Sequence, residues 1–338
     1  PMRGDGPIGA VVKLLAVADS AQKTFKTSRG STFNFARYGA VERRSAAFVD
    51  LFFATDLLSH FKVERHEVDD YHDVIQVTDA AREHLFFLEY RWSRPEVVPR
   101  FYHTPKFDFA AAMYLLWQSY PTGIYLSRQQ SDDAEAKPAF SSVPPVDLEI
   151  LTKVAAERLE EVARSCRLLE RDGQHRTYLL IGPPGTGKSS FAVRLASACG
   201  DTLLKVDATS LPKMGVQEMS FLLDVLRPGF LVIDDFDRAP VSDVGARVLY
   251  LLEHLKGAHR GTKVLITVND PGKLDVALLR SGRIDDPIDF ALPDEAERAD
   301  LVEAVAARHE LQIDTMDVVY GTRGFNHADI AALIERLR

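Results

Sequence analysis

Cysteine is scarce in this 338-residue chain: there are only two, Cys166 and Cys199, each alone in a stretch of helical periodicity. Two isolated thiols in helical stretches read as reduced, packed side chains of a cytoplasmic protein, with a disulfide or metal pair as the alternative. Long apolar runs are missing as well. No segment reaches the 18 or so residues that a membrane-spanning helix needs, and the early stretch Ile8 to Val17 is short and broken by Lys13. Asp5 and the early Gly6-Pro7 argue against a secretory leader there. Excess positive charge is absent: 41 Lys and Arg against 49 Asp and Glu leave a net charge of −8, so nucleic acid is not the expected partner. The start at Pro1 suggests a removed initiator methionine or a cut chain. What remains, 46% hydrophobic and 27% charged, is the composition of a globular protein with a substantial core.

The most informative stretch runs from Thr177 to Phe191, an apolar strand followed by a glycine-rich turn and the start of a helix. Gly182, Pro183, Pro184, Gly185, Thr186, Gly187, Lys188 and Ser189 satisfy G-x-x-x-x-G-K-[ST], with Ser190 in the first helical turn. In such a turn successive backbone N–H groups point inward at phosphates, and the helix N-terminus adds the positive end of its dipole. Lys188 supplies a mobile charge for the β- and γ-phosphates, and the Ser189 hydroxyl is a hard oxygen ligand suited to Mg²⁺. A second apolar strand, Phe230 to Ile233, ends in Asp234-Asp235-Phe236-Asp237. Asp234 is expected to hold Mg²⁺ and Asp235 to position or deprotonate the attacking water. A third strand, Lys263 to Val268, delivers Asn269, whose amide can accept from that water and donate toward phosphate. Strands alternating with helices imply a parallel sheet with the ligand at its carboxyl edge.

These motifs, together with Leu274-Asp275-Val276-Ala277-Leu278-Leu279-Arg280-Ser281-Gly282-Arg283-Ile284-Asp285, resemble an AAA-clade ATPase of the AAA+ superfamily over residues 147 to 338. The resemblance implies an α/β P-loop module, a parallel sheet flanked by helices, over residues 147–292 and a short helical lid over 293–338. It implies ATP and Mg²⁺ as cofactors. It also implies that Arg280 and Arg283 are arginine fingers reaching the nucleotide of a neighbouring subunit in a homo-oligomeric ring, usually a hexamer; the alternative is an intrachain salt bridge. Gly324-Phe325-Asn326-His327-Ala328-Asp329-Ile330 resembles the family's lid motif, with Asn326 as N-cap. His327 stands where the family has glycine, as a purine or ribose contact or as an exposed first-turn histidine. Asp235 replaces the usual Glu, one methylene longer, so the water must sit closer or hydrolysis is slow. Lys213-Met214-Gly215 lacks the pore aromatic of protein-threading members, and the chain stops at Arg338 before the last expected lid helix, as a short or trimmed lid. Within the clade, Arg176 to Leu180 and Lys188 to Phe191 are similar to the mitochondrial respiratory-complex-III assembly chaperone group.

Residues 1–130 resemble no family and are expected to form a small α+β domain that recruits a protein client. A buried helix is expected from Arg43 to Phe61, β-runs at Val74 to Thr78 and Leu85 to Trp92, a helix at Phe109 to Trp117 and a strand at Ile124 to Ser127. The acidic-histidine run His66 to Asp73 reads as a solvated loop rather than a metal site, since its spacing fails H-E-x-x-H. The aromatics Tyr90 to Tyr114, interleaved with arginines, read as core packing rather than a stacking surface for single strands. Residues 131–146 have no hydrophobic period and read as a linker. A helix should follow to Arg171, with Asp147 as N-cap and Gly173 as its stop. The expected function is Mg²⁺-dependent ATP hydrolysis coupled to remodelling of a protein partner. A nucleotide-gated scaffold with slow hydrolysis is the alternative, and a DNA-acting protein a third.

Overall fold

A computed structural model of the chain describes residues 41–43, 62–69, 72–78, 84–91, 100–103, 109–128, 138–144, 146, 152–172, 174–213, 216–238, 241–258, 261–274 and 284–337. They divide into two compact units: Pro1–Pro121, Ser131–Ser141 and Gln217–Leu226 in one, Thr122–Gln130, Ser142–Val216 and Arg227–Arg338 in the other.

The first unit is built on an antiparallel sheet of β1 (Val41–Arg43), β2 (Lys62–Asp69), β3 (His72–Thr78), β4 (His84–Arg91) and β5 (Arg100–His103), in the order β1-β5-β4-β3-β2. The acidic-histidine run is not a loop. His66 pairs with Val74 and Glu67 with Asp73, so the run forms the facing ends of a hairpin, with a register shift between Glu67 and Asp69. The strand follows from its partner: β3 offers a complete hydrogen-bonding edge, and pairing outweighs the weak propensity of Lys, Glu and Asp. Those same charges suit β2 to its place at the end of the sheet order, where they discourage pairing with another chain. Of the expected helix from Arg43 to Phe61, Arg43 ends β1 and the rest lies outside the described residues. Helix α1 (Phe109–Ser119) does form, and its Trp117 indole donates to the Leu226 carbonyl at 3.1 Å.

In the second unit six consecutive strands stand in the order β12-β8-β11-β10-β9-β6, every neighbouring pair parallel. They are β6 (Ile124–Arg128), β8 (Arg176–Ile181), β9 (Leu203–Asp207), β10 (Phe230–Asp234), β11 (Lys263–Val268) and β12 (Asp286–Asp289). A parallel strand with helices on both sides is buried on both faces, and so its sequence is a continuous apolar run rather than an alternation. Leu180, Leu231, Val232, Ile233, Val264 and Leu265 are all fully buried, each contributing about 1.5–3 kcal/mol. The expected linker holds a short strand, β7 (Pro138–Ser142). Its proline is the first residue, where no ladder donor is required.

Helix α2 (Lys153–Arg171) is capped by Thr152, whose hydroxyl accepts from the Ala155 N–H at 3.3 Å; Asp147 lies outside the described residues and is not the cap. It packs with α3 (Lys188–Cys199) around Cys166, Tyr178, Leu195 and Phe230. Both thiols are free, and the Cys166 sulfur lies 3.5 Å from the Tyr178 hydroxyl. In chain order α4 (Val216–Leu226), of the first unit but for Val216, falls between β9 and β10, and α5 (Val241–Ala258) between β10 and β11. The lid comprises α6 (Glu295–Arg308), α7 (Thr315–Gly321) and α8 (His327–Arg336), packed on Leu301, Val302, Val305, Val319, Ile330 and Ile334. Asp294 and Glu297 close a capping box on α6, and Asn326 caps α8 by accepting from the Asp329 N–H at 2.8 Å. Among the described residues no helix is long and apolar enough to cross a membrane.

Candidate nucleotide site

Strand register brings the site together. Val268 lies opposite Ile181 and Ile233 opposite Ile266, so Gly182 and Asn269, which follow their strands, and Asp234, the last residue of β10, come to the same carboxyl edge of the sheet. Between β8 and α3 the chain must turn sharply. Gly187 does this as the N-cap at φ 90°, a left-handed conformation that a side chain would strain. Gly185, at φ 76°, is needed for space too: a Cβ there would come within 2.5 Å of the Asn326 side chain. The Thr186 hydroxyl donates to the Pro183 carbonyl at 2.8 Å and pins the loop. Ser190, in the first turn of α3, also lines the cleft.

Lys188 is 5% exposed and uses all three ammonium protons: on the Gly182 carbonyl at 2.6 Å, the Pro183 carbonyl at 2.8 Å and the Asn269 Oδ1 at 2.9 Å. Burial pushes its pKa down, opposed by Asp235, Asp237 and Asp234. Asn269 is oriented from behind by Asp237, whose carboxylate accepts from the Asn269 N–H at 3.0 Å, and its Nδ2 donates to Asp235 at 3.2 Å.

Asp234 and Asp235 have different surroundings. Asp234 Oδ1 accepts from the Ser189 and Thr267 hydroxyls, each at 2.7 Å, and Oδ2 meets the Lys205 ammonium at 2.7 Å. Burial would raise its pKa, but Lys205 and the two hydroxyls outweigh that and hold the carboxyl below its ordinary value. Asp235 stands just past the strand at φ 52°, its N–H donating to the Thr267 hydroxyl at 2.8 Å and its Oδ2 paired with Arg238 at 3.1 Å. A non-glycine residue in that conformation costs on the order of 1–3 kcal/mol, held here by the neighbouring hydrogen bonds. A serine hydroxyl beside a carboxylate is a hard oxygen pair, the donor chemistry that Mg²⁺ takes, so Ser189 and Asp234 fit that ion.

Beyond the loop lies a cleft of about 840 Å³, with Val154, Ala155 and Arg158 of α2, Leu301 of α6, and His327 and Ala331 of α8 among its walls. The Arg158 guanidinium donates to the Asp289 carbonyl at 2.7 Å and lies over the Phe290 ring. His327 is not an exposed first-turn histidine: its Nδ1 is buried with no protein partner among the described residues. Burial lowers its pKa, with Glu297 opposing. The folded state therefore resists a proton that the unfolded chain takes up near pH 6.5, so the unfolded state binds more protons and stability falls as pH drops below that value. Thermal melts from pH 7.5 to 5.5 should show this decline, and His327→Gln should make it shallower. An unchanged slope would mean that His327 is not the group responsible.

Arg280 and Arg283, and Met214 with Gly215, lie outside the described residues. Sequence reading assigned no role to Asp237, Thr267, Arg158 or Lys205. Only Lys205 carried a signal, a lone charge in the apolar run Leu203 to Val206.

A strand–loop–helix cradle facing carboxylates on a nearby parallel strand defines a P-loop nucleotide-binding module. Residues 178–292 match the family model "ATPase family associated with various cellular activities (AAA)", and the chain carries an AAA ATPase domain with homologues in the AAA+ family. Among curated relatives, the ATP-dependent zinc metalloprotease FtsH of Acidothermus cellulolyticus is 30% identical over 181 residues, 47% of this chain and 27% of that protein. The 26S proteasome regulatory subunit 8 of Caenorhabditis elegans is 32% identical over 180 residues, 48% of this chain and 41% of that one. The 26S proteasome regulatory subunit 6A of Saccharomyces cerevisiae is 32% identical over 176 residues, 46% and 41% respectively. The chain thus spans less than half the length of each of these three. A solved chain from work on the structural basis for katanin self-assembly aligns at 28% identity with a TM-score of 0.46, covering 56% of this chain and 69% of that one.

Proposed function

We propose that the protein is an Mg²⁺-dependent ATPase, working as a homo-oligomeric, hexameric ring that couples hydrolysis to the remodelling or assembly of a protein partner recruited by residues 1–130. The observation that carries this reading is the convergence of Lys188, Ser189, Asp234, Asp235 and Asn269 at one sheet edge, each within hydrogen-bond reach of another. Gly185, Thr186 and Gly187, with Lys188 and Ser189 at the start of α3, would present backbone N–H groups to the phosphates. Pro183 and Pro184 have none, and the Gly182 N–H donates to the Val268 carbonyl. Lys188 would turn from the Gly182 and Pro183 carbonyls to meet the phosphates. Ser189 and Asp234 would hold Mg²⁺, which would supply positive charge to offset that on the phosphate oxygens. Asp235 accepts the proton of the attacking water, with Asn269 fixing its direction. His327 faces the purine or ribose from the lid. Arg280 and Arg283 complete the site of the adjacent subunit, so turnover is tied to subunit contacts. The client-recruiting part is placed within 1–130, although β6 (Ile124–Arg128) of that range is a strand of the parallel sheet, with the linker at 131–146, the nucleotide-binding part at 147–292 and the lid at 293–338.

One observation favours a second reading, a nucleotide-gated scaffold with slow hydrolysis: the short Asp235 carboxylate is already engaged by Arg238 and Asn269. Phosphate release from MgATP by the native chain, Asp235→Asn and Asp235→Glu separates the two. An ATPase that remodels should turn over steadily and lose roughly a hundredfold in Asp235→Asn. A native rate near zero that rises in Asp235→Glu supports the scaffold. Equal rates in the native chain and Asp235→Asn would remove Asp235 from the chemistry.

A further inference from the structure

Lys205 is the one charged residue in the body of β9; Leu203, Leu204 and Val206 around it are fully buried. Lysine is rarely placed so deep unless something pairs with it. Both flanking strands provide for it. On β10, Lys205 lies opposite Val232, which puts Asp234, two residues on, on the same face and on the diagonal; the ammonium meets Asp234 Oδ2 at 2.7 Å. On β6, Tyr125 lies directly opposite, with its ring 5.2 Å below the ammonium. The two charged side chains are only 14% and 15% exposed, so solvent screens the pair weakly.

We propose that Lys205 competes with Mg²⁺ for the Asp234 carboxylate and so sets how strongly nucleotide binding depends on the metal. The inference rests on the ATP-site reading above. A carboxylate offers about four lone-pair positions over its two oxygens. On Asp234, Oδ1 is filled by the Ser189 and Thr267 hydroxyls, which leaves the capacity for a metal or its water on Oδ2, where Lys205 already sits. A divalent cation arriving between Ser189 and Asp234 must displace the ammonium or share that oxygen with a like charge, and either weakens its hold. In the absence of metal the same ammonium cancels the carboxylate charge, so incoming phosphates are not repelled by a bare anion. Lys205 is a positioning residue here. It governs the state of Asp234 and does not itself touch the reacting atoms.

The test is the affinity of the intact chain for a fluorescent ATP analogue, measured with excess Mg²⁺ and with EDTA. The quantity read is the ratio of the EDTA Kd to the Mg²⁺ Kd. Lys205→Met removes the competing charge and should raise this ratio about tenfold, through tighter binding with metal and weaker binding without it. Lys205→Arg, which keeps the charge, should stay close to the native ratio. If Lys205→Met fails to fold, as judged by its melt, Lys205→Gln keeps a donor to Asp234 without the charge and carries the same expectation. A ratio in the neutral variants that is unchanged or lower, or a Lys205→Arg variant that behaves like Lys205→Met, overturns the proposal. A native chain that binds the analogue under neither condition overturns instead the nucleotide reading beneath it.

Discussion

Replacing Lys188 with alanine is expected to weaken ATP binding by at least about a hundredfold. The ammonium makes three short hydrogen bonds, two of them to carbonyls of the loop that is to hold the phosphates, so it is already aimed across the cradle. Charge-assisted hydrogen bonds contribute about 1.5–3 kcal/mol each, and losing two to phosphate removes on the order of 3 kcal/mol or more. That is a factor of a hundred or greater. Truncation also leaves the Gly182 and Pro183 carbonyls without this donor, so the melt of the free protein must be recorded beside the titration. Lys188→Met, which fills more of the space, should show the same loss of affinity with less loss of stability. An alanine variant that binds within threefold of the native chain would show that the cradle is not the triphosphate site.

Arg283→Ala is expected to lower turnover by about a thousandfold while leaving nucleotide affinity within a factor of three, since a guanidinium that reaches transferring phosphate from a neighbour contributes roughly that much. The informative arm is a mixture. On the proposed reading, a Lys188→Ala subunit holds nucleotide only weakly but keeps Arg280 and Arg283, and an Arg283→Ala subunit holds nucleotide but lacks one finger. Each should then be nearly inactive alone, and in a mixed ring the two would form some complete sites. Mixing the two should therefore restore a measurable fraction of native activity. Full turnover by Arg283→Ala as a dilute monomer, or no recovery on mixing when both variants assemble, would sink the shared-site reading.

How far the sequence led depended on the range of the interaction concerned. Strands β8, β10 and β11 were readable because burial on both faces writes itself as an unbroken apolar run, and the cradle because its glycines are required at fixed spacing. The Asn326 cap was readable for the same local reason. β2 was not, because its strand character comes from β3 and not from its own charged residues; β7 was hidden by a proline and serines that usually mark a linker. The helix start moved from Asp147 to Thr152, since either residue type can cap and only the fold decides which N–H groups are orphaned. Within the site, the contacts of Asp237 with Asn269, Thr267 with Asp234 and Lys205 with Asp234 join residues about thirty positions apart, and appear only once strand order and register are known.

The backbone N–H of Ala328 donates to the Gly185 carbonyl at 3.1 Å, and the Asn326 side chain occupies the space where Gly185 has no Cβ. The second residue of α8 is thus bolted to the middle of the phosphate loop, with Asn326 as a spacer too close to let the two surfaces slide. Loop and lid are therefore joined at Gly185, and a displacement of the phosphate loop would be expected to carry α8 with it and, through Ile330 and Ile334, α6.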